Sequence, residues 1–352
     1  ITHDGSLEAV KGAYFQASPA LRDAIDAFPP DAVLSWMAGL GEPGFTGSSG
    51  KIFPQSFKTS PLLRAWLRRL ESLNVRLQTR HTWMGWDENG ALLMQTENRD
   101  RISVQCAATV FAMGGASWPR LGSDAAWVDH LTAYAQIEPL VPSNMGININ
   151  WSEFIKSGFS GAPLKAIQLQ LGDAHVSGEV VITRYGLEGP AIYALSAKLR
   201  QALGRGPVTL HMDLRPALSH EAIADRLSHV PVKQSVATRL RRALKFSATE
   251  RALLHEAGMP PRQPDELAAL IKHLPLRVEG MQGLDRAIST AGGLSDKDLT
   301  AKFMFVRKPG LFAAGEMLDF DAPTGGYLLQ AALASGRMAG QGAVEFLAQA
   351  NA

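Results

Sequence analysis

The sequence has little of several features that would point to particular classes of protein. It contains one cysteine, Cys106, in 352 residues, which excludes a disulfide framework and suits a reducing compartment such as the cytoplasm. The strand-like stretch around Cys106 predicts a small buried side chain. No apolar run approaches the ~20 residues that a membrane-spanning helix needs. We therefore expect a cytoplasmic protein with no membrane partner.

Charge and histidine content argue against two further classes. Lysine and arginine number 35 against 33 aspartates and glutamates, so the formal net charge is only +2. The basic residues are spread along the chain, and we expect no nucleic-acid partner. The nine histidines show no H-x-x-x-H spacing, so we expect no metal site. The remaining class is a globular chain, with 46% hydrophobic residues and 33 glycines, that is large enough for two or three units.

The first third of the chain carries mixed helix and strand signals. Ser60 and Pro61 are typical of a helix start, and "PLLRAWLRRLESL" has apolar residues at helical spacing. "VRLQTRH" alternates like a strand, and "DENG" predicts a hairpin between two more strands. A buried strand then ends in the pair Gly114 and Gly115.

Later segments change character twice. Strands with glycine turns follow residue 143 and are interrupted by one helix that starts at Pro190. A helical pattern begins at about residue 219, and within it Ser247 and Glu250 form a predicted capping box. Strand, glycine and helix signals return near residue 276. We predict an α/β domain of residues 1–142 and 276–352, with a β-rich insertion at 143–218 and a helical insertion at 219–275.

Two glycine-rich stretches fail as nucleotide loops. "GLGEPG" matches G-x-G-x-x-G letter for letter, but a helical stretch precedes it and Pro43 interrupts it, whereas the dinucleotide loop follows a strand and opens a helix. "GSSGK" lacks the first glycine of a Walker A loop and has Ile52 in place of serine or threonine.

The strongest signal is "DAPTGGYLLQAALASGRMAG", residues 321–340. Just before this stretch, a short buried strand ends in Gly315 and Glu316. The Glu316 carboxylate could accept hydrogen bonds from sugar or polyol hydroxyls there. Gly325 and Gly326 then open an apolar helix, whose free N–H groups and dipole favour negative charge. The alternative is a helix that is merely tightly packed against a sheet.

A weaker signal precedes Pro190. Arg184 and Tyr185 lie ahead of Gly186 and Gly189, and the free N–H groups of a helix start could hold an anion there. The competing interpretation is a packed turn with Arg184 in solvent. We treat Arg184 and Tyr185 as candidate catalytic residues.

Five motifs together resemble the BaiN/YhiN family of flavoproteins, also described as aminoacetone-oxidase-like FAD-binding proteins. They are "KIFPQSFKTSPLLRAWLRRLESLNV", "ATVFAMGGASWPRLGSD", "GEVVITRYGLEGPAI", "ISTAGGLS" and "GLFAAGEMLDFDAPTGGYLLQAALASGRMAG". They occur in order and cover nearly the whole chain. The resemblance implies an α/β, glutathione-reductase-type FAD-binding fold with inserted β-barrel-like and helical subdomains. The predicted α/β domain would then be the FAD-binding domain.

The resemblance also implies roles for individual residues. Gly114 and Gly115 would lie near the nucleotide half of FAD, with Gly315 and Glu316 facing the ribityl or phosphate region. The peptide groups from Gly325 to Leu328 would lie beside the pyrimidine edge of the flavin. The full set of cofactor-binding candidates is Thr2, Gly114, Gly115, Gly315, Glu316, Asp321, Thr324, Gly325, Gly326, Tyr327 and Leu328.

This chain departs from the family at two of these motifs and at its start. Leu328 stands where many members carry asparagine, and Arg184 where many carry histidine. Members begin with a strand, a G-x-G-x-x-G loop and a helix, so the resemblance implies that about fifty residues, enough for one βαβ start, are absent before "ITHDG".

The implied activity is that of an FAD-dependent oxidoreductase acting on an unidentified small-molecule substrate. NADH or NADPH is a candidate electron donor, although the sequence has no second dinucleotide fingerprint. The alternative is a truncated flavoprotein remnant that lacks cofactor and activity and acts only as a binding or structural module. The sequence does not indicate the oligomeric state.

Overall fold

The computed structural model describes residues 1–350 and divides into two compact units. Unit 1 combines Ile1–Val141 with Thr290–Ala352, and unit 2 is Pro142–Ser289. The predicted domain boundaries after residues 142, 218 and 275, which separate the α/β domain, the β-rich insertion and the helical insertion, stay predictions. Within residues 1–350, no helix is both long enough and apolar enough to cross a membrane.

The first part of unit 1 alternates short helices with short strands. Its helices are α1 (Leu7–Gly12), α2 (Pro19–Ala27), α3 (Pro30–Gly39), α4 (Thr59–Ser72) and α5 (Trp127–Leu131). Its strands are β1 (Thr2–His3), β2 (Gly44–Thr46), β3 (Lys51–Pro54), β4 (His81–Trp86), β5 (Leu92–Thr96), β6 (Arg101–Val104), β7 (Thr109–Phe111) and β8 (Ile137–Ser143).

Unit 2 contains longer strands and most of the remaining helices. The strands are β9 (Ile147–Asn148), β10 (Pro163–Leu171), β11 (Ala174–Ile182), β12 (Gly186–Glu188), β13 (Val208–Asp213), β14 (Leu274–Val278) and β15 (Gly280–Met281). The helices are α6 (Glu153–Gly158), α7 (Pro190–Tyr193), α8 (Ser196–Leu203), α9 (His220–Ser228), α10 (Val236–Leu244), α11 (Ala248–Glu256) and α12 (Pro264–Lys272).

The chain then returns to unit 1 through β16 (Ser289–Leu294), followed by β17 (Leu311–Ala313) and α13 (Tyr327–Ala350). β16 pairs with β8, and β17 pairs with β7 in parallel, Phe312 opposite Val110. Two antiparallel sheets complete unit 1, in the orders β1-β3-β2 and β4-β5-β6. The α13 face of Ala331, Ala334 and Ala339 is buried in the hydrophobic core of this unit, since small side chains let the helix approach closely.

Unit 2 is built around one antiparallel sheet of seven strands, in the order β14-β13-β10-β11-β12-β9-β15. Alternate residues of these strands are buried, as in Leu274, Leu276 and Val278 of β14. Apolar residues of α9 to α12 pack into the same core, among them Ile223 and Leu253. α11 begins with the predicted capping box, in which the Ser247 hydroxyl accepts from the Glu250 N–H and the Glu250 carboxylate accepts from the Ser247 N–H.

Two predictions near the hairpin are wrong. Residues 75–80 form no strand and are exposed, because an alternating pattern gives a strand only where a neighbour completes the hydrogen-bond ladder. Cys106 is exposed rather than buried, because β6 ends at Val104 on the edge of its sheet and the chain leaves the core there. The hairpin itself is confirmed, with β4 paired to β5 across "DENG".

Two helix predictions need correction. α4 begins at Thr59, and no side chain caps its N-terminus, so Ser60 lies inside the first turn and is not the cap. Pro61 is in the same turn, where backbone N–H groups have no partner within the helix, so its missing N–H removes no helical hydrogen bond. The predicted single helix from Pro190 is two, α7 and α8, separated at Ala194 and Leu195. The prediction that Gly325 and Gly326 open a long helix is confirmed by α13, which spans 24 residues.

Candidate functional site

The carboxyl ends of β7 and β17 lie side by side because the two strands are parallel and in register. Gly114 and Gly115 follow the first strand, and Gly315 and Glu316 follow the second. Open α/β sheets bind ligands outside such carboxyl ends. The structure therefore brings four of the sequence-predicted site residues to one edge.

The Glu316 carboxylate is fixed by two backbone donors. One oxygen accepts from the N–H of Gly115 at 3.2 Å and the other from the N–H of Thr290 at 2.9 Å. Burial raises the pKa of the Glu316 carboxyl, and the two backbone hydrogen bonds oppose that rise. Each carboxylate oxygen has a second lone pair, so Glu316 can still accept from a ligand hydroxyl.

Gly115 has no room for a side chain. A Cβ there would lie 2.4 Å from the Thr290 hydroxyl oxygen and 3.2 Å from the Glu316 carboxyl carbon. The same Thr290 hydroxyl accepts from the N–H of Ala116 at 2.8 Å. Thr290 is a site residue that the sequence patterns did not single out; its signal in the sequence is its place just before the pair Gly292 and Gly293.

The loop after Gly115 contains two buried hydroxyl groups without a partner. The side-chain oxygens of Ser117 and Ser123 make no hydrogen bond with any of residues 1–350, and Ser117 is only 2% exposed. Buried polar atoms normally find a partner, so such groups call for an explanation. The Ser123 oxygen lies 3.0 Å from the position that a Cβ on Gly114 would take. Both hydroxyls are thus next to the predicted cofactor glycines.

A second part of the site surrounds the start of α13. Gly326 has φ +103°, and a Cβ there would lie 2.6 Å from the Cα of Thr2. Only glycine tolerates both the left-handed backbone and this contact. Gly325 has φ +122° and packs beside Lys51 and His3. The glycine pair therefore seats the helix start directly on β1.

Aromatic contacts fix the first helical residue. The Tyr327 ring stacks on His3 with centroids 5.1 Å apart, and the Tyr327 carbonyl accepts from the Tyr14 hydroxyl at 2.8 Å. Burial raises the pKa of the Tyr14 phenol, which keeps it protonated as a donor. Leu328 follows in the first turn, where helix N–H groups have no partner within the helix. Tyr14 is a residue that the sequence analysis missed.

The remaining predicted residues of this half are also in unit 1. Asp321 is buried, and its backbone exchanges two hydrogen bonds with Phe15, at 2.8 and 3.0 Å. Thr324 is half-buried just before the glycine pair. Gly315 has φ +78°, and its N–H donates to the Ser335 hydroxyl of α13 at 3.0 Å, which ties the end of β17 to that helix.

Arg184 and Tyr185 belong to unit 2. Arg184 is exposed, whereas the Tyr185 hydroxyl donates to the Glu188 carboxylate. Burial, and then the hydrogen bond and charge of Glu188, raise the pKa of the Tyr185 phenol. The guanidinium of Arg286 lies 5.8 Å from the Tyr185 ring centroid, and a Cβ on Gly146 would lie 2.8 Å from that ring.

The glycines that follow Tyr185 are packed against backbone. A Cβ on Gly186 would lie 1.9 Å from the carbonyl oxygen of Ile147, and one on Gly189 would lie 3.2 Å from the Cα of Val180. α7, which begins at Pro190, has only four residues. This geometry favours the packed turn over an anion site at the helix start.

Comparison with known proteins finds sequences that are similar over most of this chain. It is 24% identical over 347 residues to the 3-dehydro-bile acid delta(4,6)-reductase of Clostridium scindens, covering 92% of this chain and 82% of the relative. It is 23% identical over 287 residues to the ribosomal RNA dihydrouridine synthase of Escherichia coli, covering 75% of this chain and 66% of the relative.

A solved structure of flavocytochrome c3 fumarate reductase, in its open conformation, is similar over 98% of this chain and 70% of that chain, at 13% identity and a TM-score of 0.40. This structural similarity is too low to support a family assignment, which depends instead on the sequence match. Residues 1–342 match the family described as HI0933-like protein Rossmann domain. The chain belongs to that family, which confirms both the resemblance to BaiN/YhiN flavoproteins and the Rossmann-type FAD-binding fold.

Proposed function

We propose that this protein is an FAD-dependent oxidoreductase whose cofactor lies along the carboxyl edge of β7 and β17. The observation that carries the proposal is the environment of Gly115. A side chain is excluded there, Glu316 is fixed beside it by two backbone donors, and the hydroxyls of Ser117 and Ser123 are buried without a hydrogen-bond partner among residues 1–350. A ligand with several hydroxyl and phosphate oxygens suits this set of donors and acceptors.

The residues divide into two groups along such a ligand. Gly114 and Gly115 allow close approach of the backbone to the nucleotide half, and Glu316 accepts from sugar or ribityl hydroxyls. Thr2 and the peptide groups of Gly325 to Leu328 lie at the other end, where the N-terminus of α13 favours negative charge. Asp321, Thr324 and Gly315 hold the chain that connects the two groups. When bound, FAD supplies hydride or electron transfer.

The proposed reaction is addition of hydrogen to a carbon–carbon double bond conjugated with a carbonyl group. The names of the two relatives, a bile acid delta(4,6)-reductase and a dihydrouridine synthase, both describe hydrogen added to such a bond. We propose a small molecule with this group as the substrate and NADH or NADPH as the electron donor. Arg184 and Tyr185 are proposed to contact the substrate, Tyr185 as a protonated phenol.

Flavin binding tests the proposal first. Purified protein is expected to show flavin absorbance as isolated or after incubation with FAD. Gly115→Ala should abolish binding, because its Cβ would overlap Thr290, whereas Gly39→Ala should leave it intact, because a Cβ there meets nothing within 4 Å. Absence of flavin in the parent protein after reconstitution would overturn the proposal and favour a binding or structural module.

The reaction is tested with the flavin-loaded protein. Anaerobic reduction by NADH, NADPH or dithionite is followed by addition of a 3-oxo-Δ4 steroid or another conjugated enone. Return of the oxidised flavin spectrum together with a product two mass units heavier supports the reaction class. Oxidation only by molecular oxygen, with every enone unchanged, would contradict it.

A further inference from the structure

A cavity in unit 1 lies at the end of the β7–β17 pair that is opposite the proposed cofactor edge. Thr109, the first residue of β7, and Leu311, the first residue of β17, both line it. Gly114 and Gly315, in contrast, follow the carboxyl ends of the same two strands. Because the strands are parallel, the cavity is at their amino ends and is separate from the edge where we place FAD.

The cavity has room for a ligand larger than one water molecule. Its volume is ≈ 130 Å³, whereas a single water needs only ~10–15 Å³ on the same measure. The lining comes from the turn at Gly90, the connection from Val104 to Thr109, and residues 308–311. None of the lining residues is acidic, and Lys308 is the basic one. The lining therefore carries a positive charge.

Lys308 has no counter-ion. No carboxylate within residues 1–350 lies within ion-pair distance of its ammonium, which also donates no hydrogen bond to that part of the chain. Two other cations of the same segment are paired, Lys302 with Glu345 and Arg307 with Asp298. Lys308 is half-buried, so water does not surround its side chain fully. Its charge is available to an anion in the cavity.

Two aromatic rings hold the Lys308 ammonium in place. Its nitrogen lies 5.3 Å from the centroid of the Trp86 ring and 5.0 Å from the centroid of the Tyr134 ring. Both distances suit a cation–π interaction, which positions the cation but brings no negative charge. The two rings also meet edge to face, with centroids 5.1 Å apart. A cation that is already positioned loses little side-chain entropy when an anion binds.

Backbone N–H groups add hydrogen-bond donors to the lining. Gly310 is buried, and its N–H donates to no acceptor in residues 1–350. Buried N–H groups nearly always have a partner, so this one calls for a ligand or a water. The N–H groups of Ala107 and Ala108 also have no acceptor in the described part of the chain. An ammonium and three N–H groups together suit the oxygens of one anion.

The turn beside the cavity contains two acidic residues, Asp87 and Glu88, and neither lines the cavity. One Asp87 oxygen accepts from the N–H groups of Asn89 and Ala91, each at 2.9 Å, so this carboxylate is used within the turn. Glu88 is exposed. Neither residue supplies the counter-charge that Lys308 lacks.

We propose that this cavity binds a phosphate group, either as the free ion or as a small phosphate monoester. The phosphate oxygens match the Lys308 ammonium and the N–H groups of Ala107, Ala108 and Gly310, whereas a carboxylate has too few oxygens for all of these donors. The cavity shares no residue with the proposed cofactor site, so phosphate and FAD can bind to unit 1 together.

Cys106 reports whether the cavity is filled, because it lines the cavity and is exposed. It is the single cysteine of the 352-residue sequence. Alkylation of the full chain by the uncharged reagent N-ethylmaleimide is followed by mass spectrometry. Inorganic phosphate or phenyl phosphate is added, and sodium chloride keeps the ionic strength constant. A ligand with a Kd of ~1 mM should slow alkylation about twentyfold at ~20 mM.

Variants of the two lysines make the test specific. Lys308→Met, or Lys308→Gln if the first variant does not fold, should lose the protection of Cys106. Lys308→Arg should retain it, because the charge is kept. Lys297→Met removes an exposed lysine of unit 1 that does not line the cavity, and it should be protected like the parent.

No protection of the parent by either ligand would overturn the proposal, and so would equal protection of the parent and the neutral Lys308 variant. Half-protection at a lower concentration of phenyl phosphate identifies a monoester as the ligand, and at a lower concentration of inorganic phosphate the free ion. The measurement is repeated with FAD present. Protection that FAD abolishes contradicts a separate phosphate site, whereas protection in a protein that binds no flavin contradicts only the proposed function.

Discussion

The hydroxyl of Thr2 donates a hydrogen bond of 2.6 Å to the side-chain carbonyl of Gln330, across 328 positions of sequence. Both residues are 0% exposed. The Gln330 amide nitrogen donates in turn to the carbonyl of Phe28 at 2.6 Å. This chain of bonds joins β1, α13 and the end of α2, and it holds the start of α13 on β1 next to Gly326.

Loss of the Gln330 amide should destabilise unit 1. Gln330→Leu leaves the Thr2 hydroxyl and the Phe28 carbonyl buried without a partner, and we expect the free energy of unfolding to fall by about 1–3 kcal/mol. Gln341→Leu makes the same change at an exposed position of α13 and should stay within about 0.5 kcal/mol of the parent. Urea unfolding measures both, and equal stabilities would contradict a structural role for the amide.

Glycine at 326 is required by both backbone angle and space. Gly326→Ala should lower the melting temperature and weaken FAD binding, because the new Cβ overlaps the Thr2 backbone at 2.6 Å. Gly336→Ala lies in the same helix with nothing within 4 Å, and should instead stabilise by about 0.5–1 kcal/mol. Thermal unfolding with and without FAD separates the effects. A Gly326→Ala protein that melts like the parent and binds FAD equally would refute this account.

Asp319 should make stability depend on pH. Burial, and then the charges of Glu138, Asp296 and Asp321, raise its pKa from 3.8 to about 6. The folded state therefore binds the proton more tightly than the unfolded state, so this contribution is full below pH 3.8 and is lost as the pH rises through about 6.

Asp319→Asn removes that dependence. Because Asp319 is only half-buried, solvent screening reduces the effect, and we expect the variant to exceed the parent by about 1–2 kcal/mol above pH ~7 and to match it near pH ~4. Asp173→Asn, at an exposed turn, is the control. Urea unfolding across this pH range is the measurement, and parallel curves for parent and Asp319→Asn would show that Asp319 titrates normally.

The proposed role of Tyr185 is tested by removing its hydroxyl. Tyr185→Phe keeps the ring on Gly146 but ends donation to Glu188. If the phenol donates a proton to substrate, kcat should fall by about 10²-fold while flavin absorbance stays unchanged. Tyr193→Phe, another partly buried tyrosine of unit 2, is the control. Arg184→Ala should chiefly raise KM. Unchanged kcat and unchanged KM in both Tyr185→Phe and Arg184→Ala would remove these residues from the site.

Local patterns were enough to find much of the fold. The capping box of Ser247 and Glu250, the "DENG" hairpin and the glycine-opened helix α13 each depend on residues within a few positions of one another. The ordered motifs also gave the family, which the match of residues 1–342 confirms. The proposed roles of individual site residues stay predictions.

Features that depend on a distant partner could not be read in this way. The segment 75–80 has a strand pattern but pairs with no strand in the described part of the chain. Cys106 is expected to be buried from its sequence but lies beyond a sheet edge. Gln330 is one of several polar residues in α13, and its neighbours in sequence do not show that it is buried. Its bond to Thr2 exists only once β1 and α13 meet.

The sequence by itself determined the family and the positions of the glycines, because both are properties of local order along the chain. Tertiary structure decided why those glycines are needed. Gly115 must make room for Thr290, 175 positions away, and Gly326 for Thr2, 324 positions away. It also decided that Arg241 and Arg242 of α10 face solvent while Arg239 of the same helix is buried, since burial of Leu240 and Leu244 fixes which face of that helix meets water.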